Sequence, residues 1–140
     1  VAVDRRAILG GGFLLALAAT LSVWDVLSDA TRGPITLPLE VTMLGARAHE
    51  AVKRGSRAEA GRALNTYGSA LLALSEDGDM SRPDAEDLAA IARDVRILGT
   101  VVETGRGEVA SDDDFAAWQA LQGLVDTICA GASYEDARGG

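Results

Sequence analysis

The chain has 140 residues, 48% hydrophobic and 24% charged, a composition that supplies one hydrophobic core plus a short appendage and fits neither disorder nor a fibrous repeat. A formal charge of −8, from 21 acidic against 13 basic side chains, works against a partner held through its phosphates, so no nucleic acid is expected. One cysteine, Cys129, and one histidine, His49, leave no intrachain disulfide, no four-ligand zinc site and no c-type haem attachment.

Residues 7–24 (AILGGGFLLALAATLSVW) carry no charge. As a helix rising about 1.5 Å per residue they span roughly 27 Å, close to the thickness of a bilayer core. A surface helix would interrupt such a run with polar residues every turn. The segment is predicted to be a transmembrane helix anchored by Ala7, Ile8, Leu9, Phe13, Leu14, Leu15, Leu17, Leu21, Val23 and Trp24. Arg5 and Arg6 precede it and Asp25 and Asp29 follow, so the positive-inside rule puts the N-terminus in the cytoplasm and the rest outside.

Asp4-Arg5-Arg6-Ala7-Ile8-Leu9, followed by Gly10, Gly11 and Gly12, resembles a twin-arginine translocation signal, and the resemblance covers about the first 20 residues. It implies a bacterial inner-membrane setting and export of a folded domain or complex, a route associated with redox and other cofactor-bearing assemblies. Ala16-Leu17-Ala18 offers an A-x-A cleavage pattern, so removal as a signal peptide stands beside retention as a single-pass anchor. Retention is the expectation, because the apolar run continues past Ala18 through Leu21, Val23, Trp24, Val26 and Leu27.

Residues 28–37 contain Gly33-Pro34 and β-branched side chains and are predicted to be a linker that spaces the domain from the membrane. From about Pro38, Leu37, Val41, Leu44, Ala48 and Val52 form one stripe at helical spacing, ended by Lys53, Arg54 and Gly55. Ser56-Arg57-Ala58-Glu59 is a capping box that opens the next helix, with the stripe Ala60, Ala63, Leu64, Tyr67, Leu71 and Leu74. Ser81, with Pro83 and Asp84 behind it, opens a third, striped by Leu88, Ile91, Ala92, Val95, Leu98 and Val102 and closed by Gly105-Arg106-Gly107. Ser111 caps a fourth, with Asp112, Asp113 and Asp114 at the positive end of its dipole and Phe115, Trp118, Leu121, Val125 and Ile128 on the buried side. Gly45, Gly61, Gly68, Gly99 and Gly123 fall mid-helix, where each costs about 1 kcal/mol relative to alanine, and close helix approach is the expected return.

The predicted fold is therefore all-α: an N-terminal transmembrane signal-anchor (residues 1–27), a linker (28–37), an antiparallel up-and-down four-helix bundle outside the cytoplasm (38–131) and a flexible C-terminal tail (132–140). Charge divides unevenly along it: residues 1–32 balance to zero, 33–75 carry +2 and 76–140 carry −10. The acidic half reads as a solvated surface that keeps the domain soluble.

No catalytic pattern emerges. A di-iron bundle needs paired E-x-x-H motifs, and the residue three before His49 is Ala46. Met43 and His49 point about 240° apart around a helix, so they cannot share one haem iron, and His49 reads as an ordinary surface or interface side chain. The stretch 75–86 (SEDGDMSRPDAE) resembles an EF-hand loop weakly, with Met80 at its glycine position and Ser75 at its first aspartate, and reads better as a helix-ending turn. Cys129 beside Ile128 reads as a neutral core thiol, and Gly10 to Gly12 lack the preceding strand of a phosphate loop. The expectation is a non-catalytic accessory subunit without cofactor or metal, whose partners are membrane lipid and a larger integral membrane complex of respiratory or photosynthetic kind. The rival reading is an exported bundle that holds a pigment, quinone or lipid between small-residue seams.

Overall fold

The computed structural model describes residues 32–139, and within them every regular element is a helix: α1 Leu39–Arg54, α2 Arg57–Ser75, α3 Arg82–Thr104, α4 Asp112–Cys129 and the short α5 Tyr134–Gly139. The anticipated anchor and the arginine pair Arg5-Arg6 lie outside the described residues. Among those described, no helix is long and apolar enough to cross a membrane.

Local chemistry sets the boundaries. Ser56 and Ser111 each accept from the backbone N–H three residues on, while Glu59 and Asp114 reach back to the cap residue's own N–H, so both boxes are closed. At α3 Ser81 accepts from the Asp84 N–H, and Pro83 stands in the first turn where a missing N–H costs nothing. Gly78, Gly107 and Gly131 take φ values of 92°, 96° and 113° in the turns after α2, α3 and α4, a region that side chains avoid. The stretch that resembles an EF-hand loop is the α2–α3 turn, with Ser75 Oγ donating back to Leu72 O.

The helices form a bundle in which each packs on its sequence neighbours and α1 closes the ring against α4. The pairing runs antiparallel: Gly61 meets Gly99 and Glu103 while Gly68 meets Ala92 and Arg96, and Leu44 and Ala51 of α1 share a groove with Thr66 and Glu59 of α2 in reversed order. The core is the predicted stripes, with Leu64, Leu71, Leu88, Ile91, Val95, Val102, Trp118 and Ile128 wholly buried. At about 1.5–3 kcal/mol for each large apolar side chain withdrawn from water, this cluster supplies the main drive for folding.

One end of the bundle is tied by Arg57, buried despite its charge. Its Nη1 donates to Val102 O and to Asp114 Oδ2, both at 2.9 Å, and its Nε donates to Gly107 O at 3.1 Å. The backbone beside it joins in, Arg57 N donating to Glu108 O within an isolated bridge between Ser56 and Val109. The α1–α2 and α3–α4 connections, far apart in sequence, thus meet on one guanidinium.

Both chain ends of the described region dock on the opposite end. The anticipated spacer packs along the bundle: Ile35 and Leu37 lie against the core, Ile35 N donates to Cys129 O at 2.8 Å, and Arg32 Nε pairs with Asp87 Oδ2 at 2.9 Å. Residues 134–139, anticipated within a flexible tail, form α5, whose Tyr134 and Ala137 pack on the core and whose Tyr134 hydroxyl donates to Asp94. Burial pushes the Asp87 carboxyl above its ordinary value, and the hydrogen bonds from Arg32 and the Tyr134 N–H with the Arg32 charge recover only part of that cost.

Of the mid-helix glycines, Gly45, Gly61, Gly68 and Gly99 do stand against a neighbouring helix, but Gly123 faces open solvent with nothing within 4 Å of where its Cβ would be. It carries the helix-propensity cost without a packing return. Gly123→Ala is accordingly expected to raise stability by about 0.5–1 kcal/mol, read as a higher urea midpoint at unchanged slope.

Candidate ligand cleft

An open cleft of about 400 Å³ lies where α1, α4 and the extended segment 32–38 meet. The extended segment contributes Ile35 and Leu37, and α1 contributes Thr42, Gly45 and Ala46. From α4 come Gln122, Val125, Asp126 and Cys129, one helical face at spacings of three and four. Tyr67 of α2 and Trp118 of α4 are the deep members of the lining, 5% and 0% exposed.

Glycine makes room for the tyrosine. A Cβ on Gly45 would stand 3.0 Å from Tyr67 Cζ and 3.2 Å from its hydroxyl, so a side chain there would press on the end of the tyrosine. Tyr67 packs edge-on against Trp118, ring centroids 6.0 Å apart and planes at 82°, which fixes both rings. Its hydroxyl forms no hydrogen bond with any described residue. Burial, with the nearby Cys129 and Asp126 adding to it, pushes that hydroxyl up to about 12, so it stays a neutral donor and acceptor.

His49 borders this region and is committed to the fold. Trp118 Nε1 donates to His49 Nδ1 at 3.2 Å, and the Gln122 amide stands 3.1 Å from the same nitrogen. Nδ1 has one lone pair, and an indole N–H can only donate, so the wholly buried Trp118 takes it. Phe115 covers the imidazole at 5.5 Å between centroids. His49 is therefore an interface side chain.

Acyl-transfer chemistry finds no assembly here. Burial, and after it Asp126, pushes the Cys129 thiol above its ordinary value, so it remains a thiol, and no Ser, Thr or Cys among the described residues is hydrogen-bonded to His49. Nor does any group of three or more His, Cys, Asp or Glu among the described residues stand where it could hold a metal ion. Asp112 and Asp113 stay exposed at the N-terminus of α4, while Asp114 serves the capping box and Arg57.

Tyr67, Trp118, Val125 and Leu37 were legible as members of apolar stripes, Cys129 as a core thiol and Gly45 as a place of close approach, whereas the unmet hydroxyl and the part taken by Ile35 were not. The sequence signal for the last is the alternation of apolar Ile35 and Leu37 with polar or exposed Thr36, which fits an extended segment with one buried side. No protein family, curated protein or solved structure matches this chain.

Proposed function

We propose that this chain is a non-catalytic helical bundle, tethered to a membrane by its N-terminal segment, that binds a small ligand in the cleft between α1 and α4. The observation that carries this reading is the cleft of about 400 Å³ with Tyr67, 5% exposed, in its lining and its hydroxyl without a hydrogen-bond partner among the described residues. Ligand sites are concave, mix apolar walls with a few polar groups and begin at about 300 Å³. A buried polar group without a hydrogen bond costs about 1–3 kcal/mol, a cost that a ligand able to bond Tyr67 removes. The tether and the extracytoplasmic, periplasmic location rest on the uncharged run 7–24 and the charges flanking it.

A second reading, an accessory subunit of a larger integral membrane complex, is favoured by Ile97 and Val101. They stand four residues apart on the outer face of α3, 62% and 50% exposed, with the spacing of an apolar contact strip. One experiment separates the two. The chain is extracted from its native membrane in mild detergent, run on a native gel and analysed by native mass spectrometry. A bundle that migrates alone with a stoichiometric small molecule supports the ligand-binding reading. An empty chain that co-migrates with a large complex replaces it with the second.

A further inference from the structure

The charges around the cleft narrow the chemistry of what it holds. Among the described residues, Asp126, on the α4 wall, is the one charged side chain in the lining, and no Lys or Arg lines it. Asp126 and Cys129 both stand near enough to Tyr67 to act on its hydroxyl electrostatically, so phenol, thiol and carboxylate share one side of the cavity. An anion would meet a carboxylate that no described Lys or Arg in the lining compensates. A purely apolar ligand would leave the Tyr67 hydroxyl unmet.

Resting on the ligand-binding reading, we propose that the cleft binds a small organic amine in its protonated form, the ammonium donating to Tyr67 Oη and Asp126 and the carbon skeleton lying against Ile35, Leu37 and Val125. Donation from a charged group is the stronger kind of hydrogen bond, and both acceptors then act together. The extended segment 32–38 forms one wall, so its docking through Ile35 N and Cys129 O is part of the site.

The test uses three nearly isosteric probes: phenethylamine, 2-phenylethanol and phenylacetate. They are titrated into the full chain in nanodiscs carrying Trp24→Phe, so that Trp118, in the cleft lining, reports binding by its fluorescence. Phenethylamine is expected to bind about tenfold more tightly than 2-phenylethanol, a difference of about 1.4 kcal/mol, and phenylacetate more weakly than either. Tyr67→Phe is expected to weaken the amine about tenfold and to raise the thermal midpoint rather than lower it, because the hydroxyl supports nothing in the bundle and its burial without a partner is a cost. Asp126→Asn, at an exposed position, is expected to erase the preference of amine over alcohol. Equal or tighter binding of the alcohol or the carboxylate overturns the amine assignment and leaves the cleft as a ligand site. Failure of all three probes to bind overturns the cleft itself.

Discussion

Arg57→Met is expected to lower the stability of the bundle by about 3–5 kcal/mol, the range found when one partner of a buried ion pair is removed. Methionine keeps much of the stem volume, so the loss reports the guanidinium. Without it, Asp114 retains a charge in a site where its side chain is only 14% exposed, the Gly107 carbonyl loses its donor from Arg57, and the Val102 carbonyl keeps only the longer bond from Gly105 N, at 3.3 Å. The three partners lie at the end of α3, in the following turn and at the start of α4. Unfolding is therefore expected to begin at this end, with faster amide hydrogen exchange in residues 102–114 of the variant and little change around Asp87. Uniform acceleration across the chain would mean that Arg57 contributes global stability without tying that corner.

Asp114 gives the same corner a pH dependence. Burial opposes its ionisation, but the hydrogen bonds from the Ser111 N–H, Arg57 and the Ser111 hydroxyl, with the Arg57 charge, outweigh that and hold its carboxyl below the usual carboxylate value. A group held lower in the folded state than in the unfolded one contributes stability that is fully present above the unfolded value, about 3.9 for aspartate, and is lost as pH falls through the folded one. The wild-type chain is thus expected to lose part of its stability below about pH 4, and Asp114→Asn, already lacking that part at pH 7, to show a flatter acid limb. Asp87 works the other way: its carboxyl is raised, so protonating it as pH falls favours the folded state.

Short-range chemistry was readable, and long-range geometry was not. Ser56, Ser81 and Ser111 could be placed as caps because a cap and the N–H it serves lie three residues apart. The apolar stripes were readable because burial imposes a period. Arg57 looked like any first-turn arginine, since its partners stand 45, 50 and 57 residues away. Tyr67 sat correctly in its stripe, but periodicity records that a side chain is buried and says nothing of what its hydroxyl lacks. Two features were recoverable. Ser133 accepts from Asp136 N as a cap does, a local sign that the chain stays helical beyond Gly131. Gly123 lies on the side of α4 opposite Trp118, Val125 and Ile128, so the same stripe that located the buried face placed this glycine away from it.

The glycines of α2 and α3 should respond to alanine in the opposite direction from Gly123. An ideal Cβ on Gly61 stands 2.6 Å from Glu103 Cβ and 2.9 Å from Gly99 O, and one on Gly68 stands 2.9 Å from Ala92 O. These neighbours are helix backbone and the first carbon of a side chain, so rotamer changes cannot clear them, and α2 must move away from α3. The reciprocal approach of Gly61 O to the Cβ position of Gly99, at 3.1 Å, marks backbones close enough for Cα–H···O contacts, and Asn65 Nδ2 donates to that same Gly61 O at 3.0 Å. Alanine offers about 1 kcal/mol of helix propensity at each site, yet overpacking costs about 1–3 kcal/mol and separation also loosens the flanking core residues Leu64, Val95 and Val102. Gly61→Ala and Gly68→Ala are each expected to lower the urea midpoint. Because both substitutions force the same separation of α2 from α3, the double variant should lose less than the sum of the single losses. A rise in midpoint at either position, matching the rise expected for Gly123→Ala, would show that propensity outweighs proximity and that the two helices are free to move apart at little cost.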